Sequence, residues 1–80
     1  MLVPLYGFLQ GDTIGLMVLV RDHDKVGDVA ECLQQAASVR VAPKRNARVY
    51  FKGQALDPER TVAEVGLAAL DRVDVVEEEP

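Results

Sequence analysis

Side chains that could perform chemistry are few and scattered in this 80-residue sequence. His23 is the only histidine and Cys32 the only cysteine, whereas a transition-metal site usually needs three or four converging ligands. Asp22 and Asp24 flank His23, but adjacent side chains in an extended segment point in different directions. We therefore expect a solvated loop before a helix here, with no bound metal and no cofactor.

The sequence also lacks the pattern of a catalytic nucleophile and that of a phosphate-binding loop. A reactive thiol needs an electropositive, partly exposed setting, whereas Cys32 falls in a predicted helix beside Glu31. Ser38 is the only serine and belongs to no Ser-His-Asp set. The glycines between residues 7 and 15 are typical of a hairpin and do not form a phosphate loop. We predict no catalytic residue.

Composition bounds the remaining functions. The sequence is 49% hydrophobic and 28% charged, which is typical of one globular domain. Its net charge of −4 disfavours binding to nucleic acid or to an anionic membrane. No apolar run approaches the about 18 residues of a membrane span. A single cysteine and a start without a signal-peptide pattern lead us to expect a cytoplasmic protein.

Charge is unevenly distributed along the chain. Five of the nine basic residues fall within 13 positions, and they are Arg40, Lys44, Arg45, Arg48 and Lys52. From Asp57 onward there are eight acids and two bases. This asymmetry is consistent with a polar loop and a solvated tail, or with electrostatic complementarity to a partner.

Apolar periodicity predicts the elements. Two strand-like runs, 3–10 and 14–20, surround Gly11-Asp12 and indicate a β-hairpin. Helical spacing over 25–39 predicts a helix, with Asp24 as its N-cap and an apolar stripe that includes Ala36. Further strands are predicted at 48–51, 54–56 and 72–76, with a Thr61–Glu64 capping box between the last two. Residues 77–80 are expected to form an acidic tail.

This order of elements predicts one domain over 1–80. The closely linked hairpin strands must be antiparallel, whereas the last strand follows a long excursion and can lie beside the first. The helix then covers one face of a mixed sheet. The predicted class is α+β, with the β-grasp arrangement.

The sequence also resembles ubiquitin at 11–18 (GDTIGLMV), 26–29 (VGDV), 48–57 (RVYFKGQALD), 60–67 (RTVAEVGL) and 71–76 (DRVDVV). Within that superfamily, 4–16 (PLYGFLQGDTIGL) and 61–76 (TVAEVGLAALDRVDVV) look like the B, or gamma, subunit of toluene-4-monooxygenase-type hydroxylases. That resemblance implies a bacterial, non-catalytic accessory subunit that docks on the large subunit of a diiron hydroxylase. The iron would then belong to the partner.

Two other functions stay open at this point. A stand-alone ubiquitin-like interaction module, for example one of a type VII secretion system, has a similar length. A protein modifier or sulfur carrier would need a C-terminal Gly-Gly, whereas this chain ends in EEEP.

The helix covers only one face of the predicted sheet, so its strands should alternate between apolar and polar residues. The two hairpin strands are apolar at nearly every position. If Ile14, Leu16, Val18 and Val20 face the helix, then Met17 and Leu19 face outward. A tight turn at Gly11-Asp12 would place Tyr6 and Phe8 on the outward face as well. A longer turn would exchange the two faces of the first strand. The ubiquitin-like alignment places four further residues on the same face: Arg48, Tyr50, Asp74 and Val76. We expect these eight residues to form a protein interface, with self-association as the alternative.

Overall fold

The computed structural model describes residues 1–78 and contains five strands and one helix within them. The predicted order of elements is confirmed. In chain order they are β1 (Leu2–Leu9), β2 (Leu16–Arg21), α1 (Val26–Ala36), β3 (Ala47–Phe51), β4 (Gln54–Ala55) and β5 (Arg72–Glu77).

The five strands form one mixed sheet in the order β2-β1-β5-β3-β4. β1 pairs antiparallel with β2 and parallel with β5, while β3 is antiparallel to both β5 and β4. The parallel β1–β5 pair requires a long crossover, and the chain between these two strands contains β2, α1, β3 and β4. The predicted α+β class and β-grasp arrangement are therefore confirmed.

The hairpin has the register expected for a tight connection at Gly11-Asp12. Tyr6 pairs with Met17 and Leu5 with Val18, and the Asp12 N–H donates to the Leu9 carbonyl at 2.9 Å. Gly11 has φ of 93°, a left-handed conformation that glycine adopts without strain. This register turns the odd-numbered residues of β1 toward the helix and the even-numbered ones away from it.

The inward expectation for Ile14 is wrong. The β2 ladder begins only at Leu16, so Ile14 lies in the connection, and 47% of its surface is exposed. Leu16, Val18 and Val20 do pack toward the core, as predicted.

The core lies between α1 and the facing side of the sheet. Its buried members are apolar and come from every element except the short β4: Val3, Leu5, Leu9, Val18, Val20, Val26, Val29, Ala30, Leu33, Ala37, Val49, Val62, Leu67, Val73 and Val75. The helix approaches β1 closely at Gly7, where an added Cβ would lie 2.8 Å from Leu33 Cδ1. A larger residue at position 7 would therefore force the buried Leu33 side chain to move.

The start and end of the helix differ from prediction. Asp24 is not the N-cap; Lys25 is, and its backbone N–H donates to the Asp28 carboxylate at 3.0 Å. The Asp24 carboxylate instead accepts the Arg21 N–H at 2.8 Å, which closes the loop between β2 and the helix. The helix ends at Ala36, which is exposed rather than part of the buried stripe, because the chain turns there and buries Ala37 instead.

Two local turn predictions are confirmed. The Thr61 N–H donates to Glu64 Oε1 at 2.9 Å and the Glu64 N–H donates to Thr61 Oγ1 at 3.1 Å, which makes a reciprocal capping box. The hydrogen bond from the Thr61 N–H to the Glu64 carboxylate, together with the Thr61 hydroxyl beside it, holds the pKa of Glu64 below its usual value. Lys52 and Gly53 both have positive φ, 52° and 79°, as a tight hairpin turn between β3 and β4 requires.

The expected acidic tail is wrong for its first two residues. Glu77 belongs to β5 and pairs with Ala47. The Glu78 N–H donates to the Asn46 carbonyl at 2.9 Å, so Glu78 is also hydrogen-bonded to the chain beside β5. Both are held because β5 lies between β1 and β3 in the sheet. Residues 79 and 80 lie outside the described part of the chain.

Candidate functional site: the open face of the sheet

The side of the sheet turned away from α1, here called the open face, carries all eight residues of the predicted interface. Directly paired residues share a face of a sheet. The register pairs Tyr6 with Met17, Pro4 with Leu19, Phe8 and Tyr50 with Asp74, and Arg48 with Val76. The tight hairpin alternative is therefore the one observed. The structure brings Tyr6, Phe8, Met17, Leu19, Arg48, Tyr50, Asp74 and Val76 together, and their role as an interface stays a prediction.

One end of the open face is an apolar corner, defined by Leu2, Tyr6, Met17 and Leu19. These side chains lie on β1 and β2 and are 55%, 43%, 56% and 62% exposed. Leu70 adjoins the corner, since its N–H donates to the Pro4 carbonyl, and it is 63% exposed. Sequence reasoning missed Leu2 and Leu70. Leu2 has the same strand parity as Tyr6, so extending the predicted strand by one residue would have identified it.

An aromatic pair lies beside the apolar corner. The rings of Tyr6 and Phe8 stack with centroids 5.7 Å apart and planes 15° from parallel. They cover Gly15, where a Cβ would lie 2.6 Å from Phe8 Cζ and 2.7 Å from Tyr6 Cε1. The Arg72 guanidinium carbon sits 4.0 Å from the Phe8 ring centroid. Phe8 is therefore largely occupied by contacts within the chain, while Tyr6 keeps an exposed edge.

The other end of the open face is a polar network around Glu78. The Tyr50 hydroxyl donates to Glu78 Oε2 at 2.8 Å, and Arg48 Nη1 lies 3.4 Å from Glu78 Oε1. Arg48 Nε also donates to the Leu56 carbonyl at 2.9 Å. The hydrogen bond to the Glu78 carboxylate raises the pKa of Tyr50. The role of Glu78 differs from the prediction, which placed this residue in a solvated tail.

Only part of the basic cluster of residues 40–52 remains available to a partner. Arg40 is bound by Asp12 at the hairpin turn, with Nη2 to Oδ2 at 2.9 Å, and Arg48 is engaged by Glu78. Lys52 extends over the Phe51 ring at 5.2 Å from its centroid. The sequence grouped these residues by position, whereas the fold distributes them over different elements.

The residues that first suggested chemistry do not converge. His23 is exposed, with Nδ1 3.7 Å from an Asp22 oxygen, and Cys32 is half-buried against the core. Within residues 1–78, no three His, Cys, Asp or Glu side chains gather as metal ligands. A groove of about 310 Å³ lies between the β3–β4 turn and the start of β5, lined by Phe51, Lys52, Gly53, Asp71, Arg72 and Asp74.

The helix is too short and too polar to cross a membrane, and no other helix occurs in the described residues 1–78. What the described surface offers is a broad sheet face, apolar at one end and polar at the other. Such a surface is suited to contact with another protein.

Comparison with known proteins supports this view of the fold. The family model "Toluene-4-monooxygenase system protein B (TmoB)" matches residues 2–76. A chain from the solved toluene 4-monooxygenase HD complex with the inhibitor 4-bromobenzoate is 28% identical, with a TM-score of 0.90. The alignment covers 98% of this chain and 100% of that one.

Ubiquitin-like proteins share the fold at lower identity. Ubiquitin of Caldiarchaeum subterraneum is 21% identical with a TM-score of 0.78, covering 100% of this chain and 98% of that one. The ubiquitin-like domain of Plasmodium falciparum Dsk2 is 18% identical with a TM-score of 0.77, covering 98% of this chain and 100% of that one. A search of curated proteins finds no match. Because the family model spans nearly the whole sequence, the chain belongs to the toluene-4-monooxygenase system protein B family.

Proposed function

We propose that this chain is a non-catalytic accessory subunit of a toluene-4-monooxygenase-type diiron hydroxylase and that it binds the large subunit. One observation carries this proposal. A chain of the toluene 4-monooxygenase complex matches this one end to end, with a TM-score of 0.90 at 28% identity. A likeness that covers 98% of this chain and all of the other supports an equivalent place in an equivalent assembly.

The distribution of side chains supports a binding role rather than a chemical one. Within residues 1–78 no cluster of His, Cys, Asp or Glu side chains is suited to hold a metal ion. The diiron centre implied by the family would therefore belong to the large subunit. Stability gained by that subunit on binding is the contribution we assign to this chain.

The open face is the surface we assign to this contact. Its apolar corner holds four large side chains that are 43% to 62% exposed, although the same sheet has a well-formed core on its other side. Burying such side chains contributes about 25 cal/mol for each Å² of apolar surface removed from water. Tyr6 and Arg48 are residue types that are enriched among the anchors of protein interfaces.

Co-expression with the hydroxylase large subunit tests the proposal. We expect a tagged large subunit to retain this chain through affinity and size-exclusion chromatography. Leu19→Glu should weaken the complex by at least about tenfold, because it buries a charge in an apolar contact. Val39→Glu is the matched control, since Val39 is 86% exposed and lies outside the sheet.

Two results would count against the proposal. Failure of the wild-type chain to associate with the large subunit would favour a stand-alone ubiquitin-like module or a modifier. Equal retention of the Leu19→Glu and Val39→Glu variants would move the contact away from the apolar corner.

A further inference from the structure

β2 forms one edge of the sheet and lacks the features that normally prevent an edge strand from pairing with another chain. It is six residues long, with the sequence LMVLVR, and contains no proline and no charge before Arg21. The opposite edge, β4, has only two residues. Proteins normally protect long apolar edge strands with charges, prolines or bulges, because such edges pair with other chains.

The hydrogen-bonding pattern shows which residues of β2 direct their main-chain groups off the sheet. The Asp22 N–H donates to the Met1 carbonyl at 3.0 Å, and hydrogen-bonded pairs alternate along an antiparallel ladder. Val20 and Val18 therefore face β1, while Met17, Leu19 and Arg21 face away. Tyr6, which pairs with Met17, agrees with this pattern because its N–H donates to Asp71 on the β5 side at 2.9 Å.

The main-chain N–H and carbonyl of Arg21 already have hydrogen-bond partners within the chain. The free part of the edge is therefore limited to Met17 and Leu19. The Arg21 N–H donates to Asp24 Oδ2 at 2.8 Å, and its carbonyl accepts the Asp24 N–H at 3.0 Å. No hydrogen bond of the Met17 or Leu19 main chain is found outside the ladder in residues 1–78. Their side chains are the 56% and 62% exposed members of the apolar corner. The same two residues thus offer both main-chain groups and apolar side chains.

We propose that an extended segment of the partner protein adds to β2 as a further strand and pairs with the main chain of Met17 and Leu19. This inference rests on the proposed function, so the segment belongs to the hydroxylase large subunit. Strand addition takes its affinity from main-chain hydrogen bonds and its specificity from alternate side chains. The segment should therefore carry aliphatic residues at alternate positions, facing Met17 and Leu19.

Charge complementarity adds one further requirement on the segment. Arg21 follows Leu19 at the same strand parity, and its guanidinium makes no ion pair within residues 1–78. An aspartate or glutamate of the segment beside Arg21 would fix the register of the added strand.

The size of the free edge favours such a segment over a second copy of this chain. Two copies paired through β2 would join only two free residues from each, whereas a stable interface involves about 20–30 residues a side. Each copy also carries a net charge of −4, which opposes self-association. A segment of a larger protein can pair with the edge while its surroundings cover the apolar corner.

Proline substitution tests the main-chain contribution. Leu19→Pro removes an N–H that points off the sheet, and Leu19→Ala removes the side chain alone. We expect Leu19→Pro to lower affinity for the purified large subunit by about tenfold beyond Leu19→Ala, as for loss of a main-chain hydrogen bond.

The matched control is Ala55→Pro on the opposite edge. Gln54 pairs with Phe51 across the turn and the Leu56 N–H donates to the Val49 carbonyl, so the intervening Ala55 N–H points off the sheet. Ala55→Pro should lower the affinity less than Leu19→Pro does, because the added strand pairs with β2 and not with β4. Circular dichroism should show that all three variants remain folded.

Amide hydrogen exchange separates this inference from the proposed function. The Met17 and Leu19 amides should exchange fast in the free chain and at least about tenfold more slowly in the complex. A stable complex in which both amides still exchange fast would overturn strand addition and leave the proposed function intact. Absence of any complex would overturn both. If the isolated chain forms a dimer and Leu19→Pro abolishes that dimer, β2 pairs with a second copy of this chain. That result would also overturn the inference.

Discussion

The carboxylate of Asp12, at the tip of the β1–β2 hairpin, binds the guanidinium of Arg40, 28 residues further along the chain. Arg40 Nε lies 3.1 Å from Oδ1 and Nη2 lies 2.9 Å from Oδ2, and Oδ1 also accepts the Thr13 N–H at 2.8 Å. The Asp12 side chain is only 2% exposed. This ion pair fixes the hairpin turn to the segment that follows α1.

Asp12→Asn should lower the melting temperature of the chain. The substitution removes the charge that the guanidinium requires and leaves Arg40 partly buried without a counterion. Glu59→Gln is the control, since the Lys25–Glu59 pair is 55% and 76% exposed and such pairs contribute little. Equal melting temperatures for the two variants would show that the Asp12–Arg40 pair adds nothing beyond a surface ion pair.

The same pair predicts a specific pH dependence. The hydrogen bonds from Arg40 hold the pKa of Asp12 below its usual value of 3.8. A carboxyl with a lowered folded-state pKa contributes stability above its unfolded-state pKa, and this is lost as pH falls through the folded-state pKa. The difference in unfolding free energy between wild type and Asp12→Asn should therefore be constant near neutral pH and shrink below about pH 4. A difference independent of pH would contradict this assignment.

Gly15→Ala should be destabilising and should disturb the open face. The new Cβ would lie 2.6 Å from Phe8 Cζ and 2.7 Å from Tyr6 Cε1, so both rings must move. Overpacking of this kind costs about 1–3 kcal/mol. Urea unfolding gives the free energy, and near-ultraviolet circular dichroism reports the aromatic pair. Unchanged values in both would mean that the Tyr6–Phe8 stack does not depend on glycine at this position.

Gly27→Ala in α1 should stabilise the chain, in contrast to Gly15→Ala. Gly27 lies in the first turn, where the nearest atom to an added Cβ is the Pro58 carbonyl oxygen at 3.4 Å. Alanine restricts the unfolded chain and favours the helix, so we expect a gain of about 0.5–1 kcal/mol in unfolding free energy. A loss of stability would show that the Pro58 carbonyl is closer to α1 than an alanine permits.

Glu78→Gln should lower the pKa of Tyr50. The carboxylate that accepts the hydrogen bond from the Tyr50 hydroxyl raises this pKa above its usual value of 10.0. Since the folded-state pKa is raised, the stabilisation is present below about pH 10 and is lost as pH rises through the folded-state pKa. Titration of tyrosinate absorbance in a Tyr6→Phe background isolates Tyr50. An identical titration curve for the Glu78→Gln variant would contradict the hydrogen bond.

Local patterns predicted the elements that local physics determines. The apolar runs of β1 and β2, the Gly11-Asp12 turn and the Thr61–Glu64 capping box all depend on neighbours in sequence, and the structure confirms each. The residues of the open face could be predicted from the alternation of side chains along each strand, given the register of a tight hairpin. Contacts between distant segments were missed, because nothing near Asp12 in the sequence indicates that it meets Arg40.

Two further errors have the same origin. Glu78 was assigned to a tail because its acidic neighbours suggest solvation, yet the position of β5 between β1 and β3 brings it to Tyr50. The helix was predicted to extend to residue 39, but it ends at Ala36, and the segment beyond it brings Arg40 to the hairpin turn.

Native mass spectrometry of the hydroxylase is the most direct test of the proposed function. The large subunit is co-expressed with this chain and the other hydroxylase subunits, purified through a tag on the large subunit, and weighed intact. The account predicts an assembly whose mass includes the 8.7 kDa chain in a fixed ratio to the large subunit. A fully assembled hydroxylase that lacks this chain, although the chain is present and folded in the same cells, would contradict it.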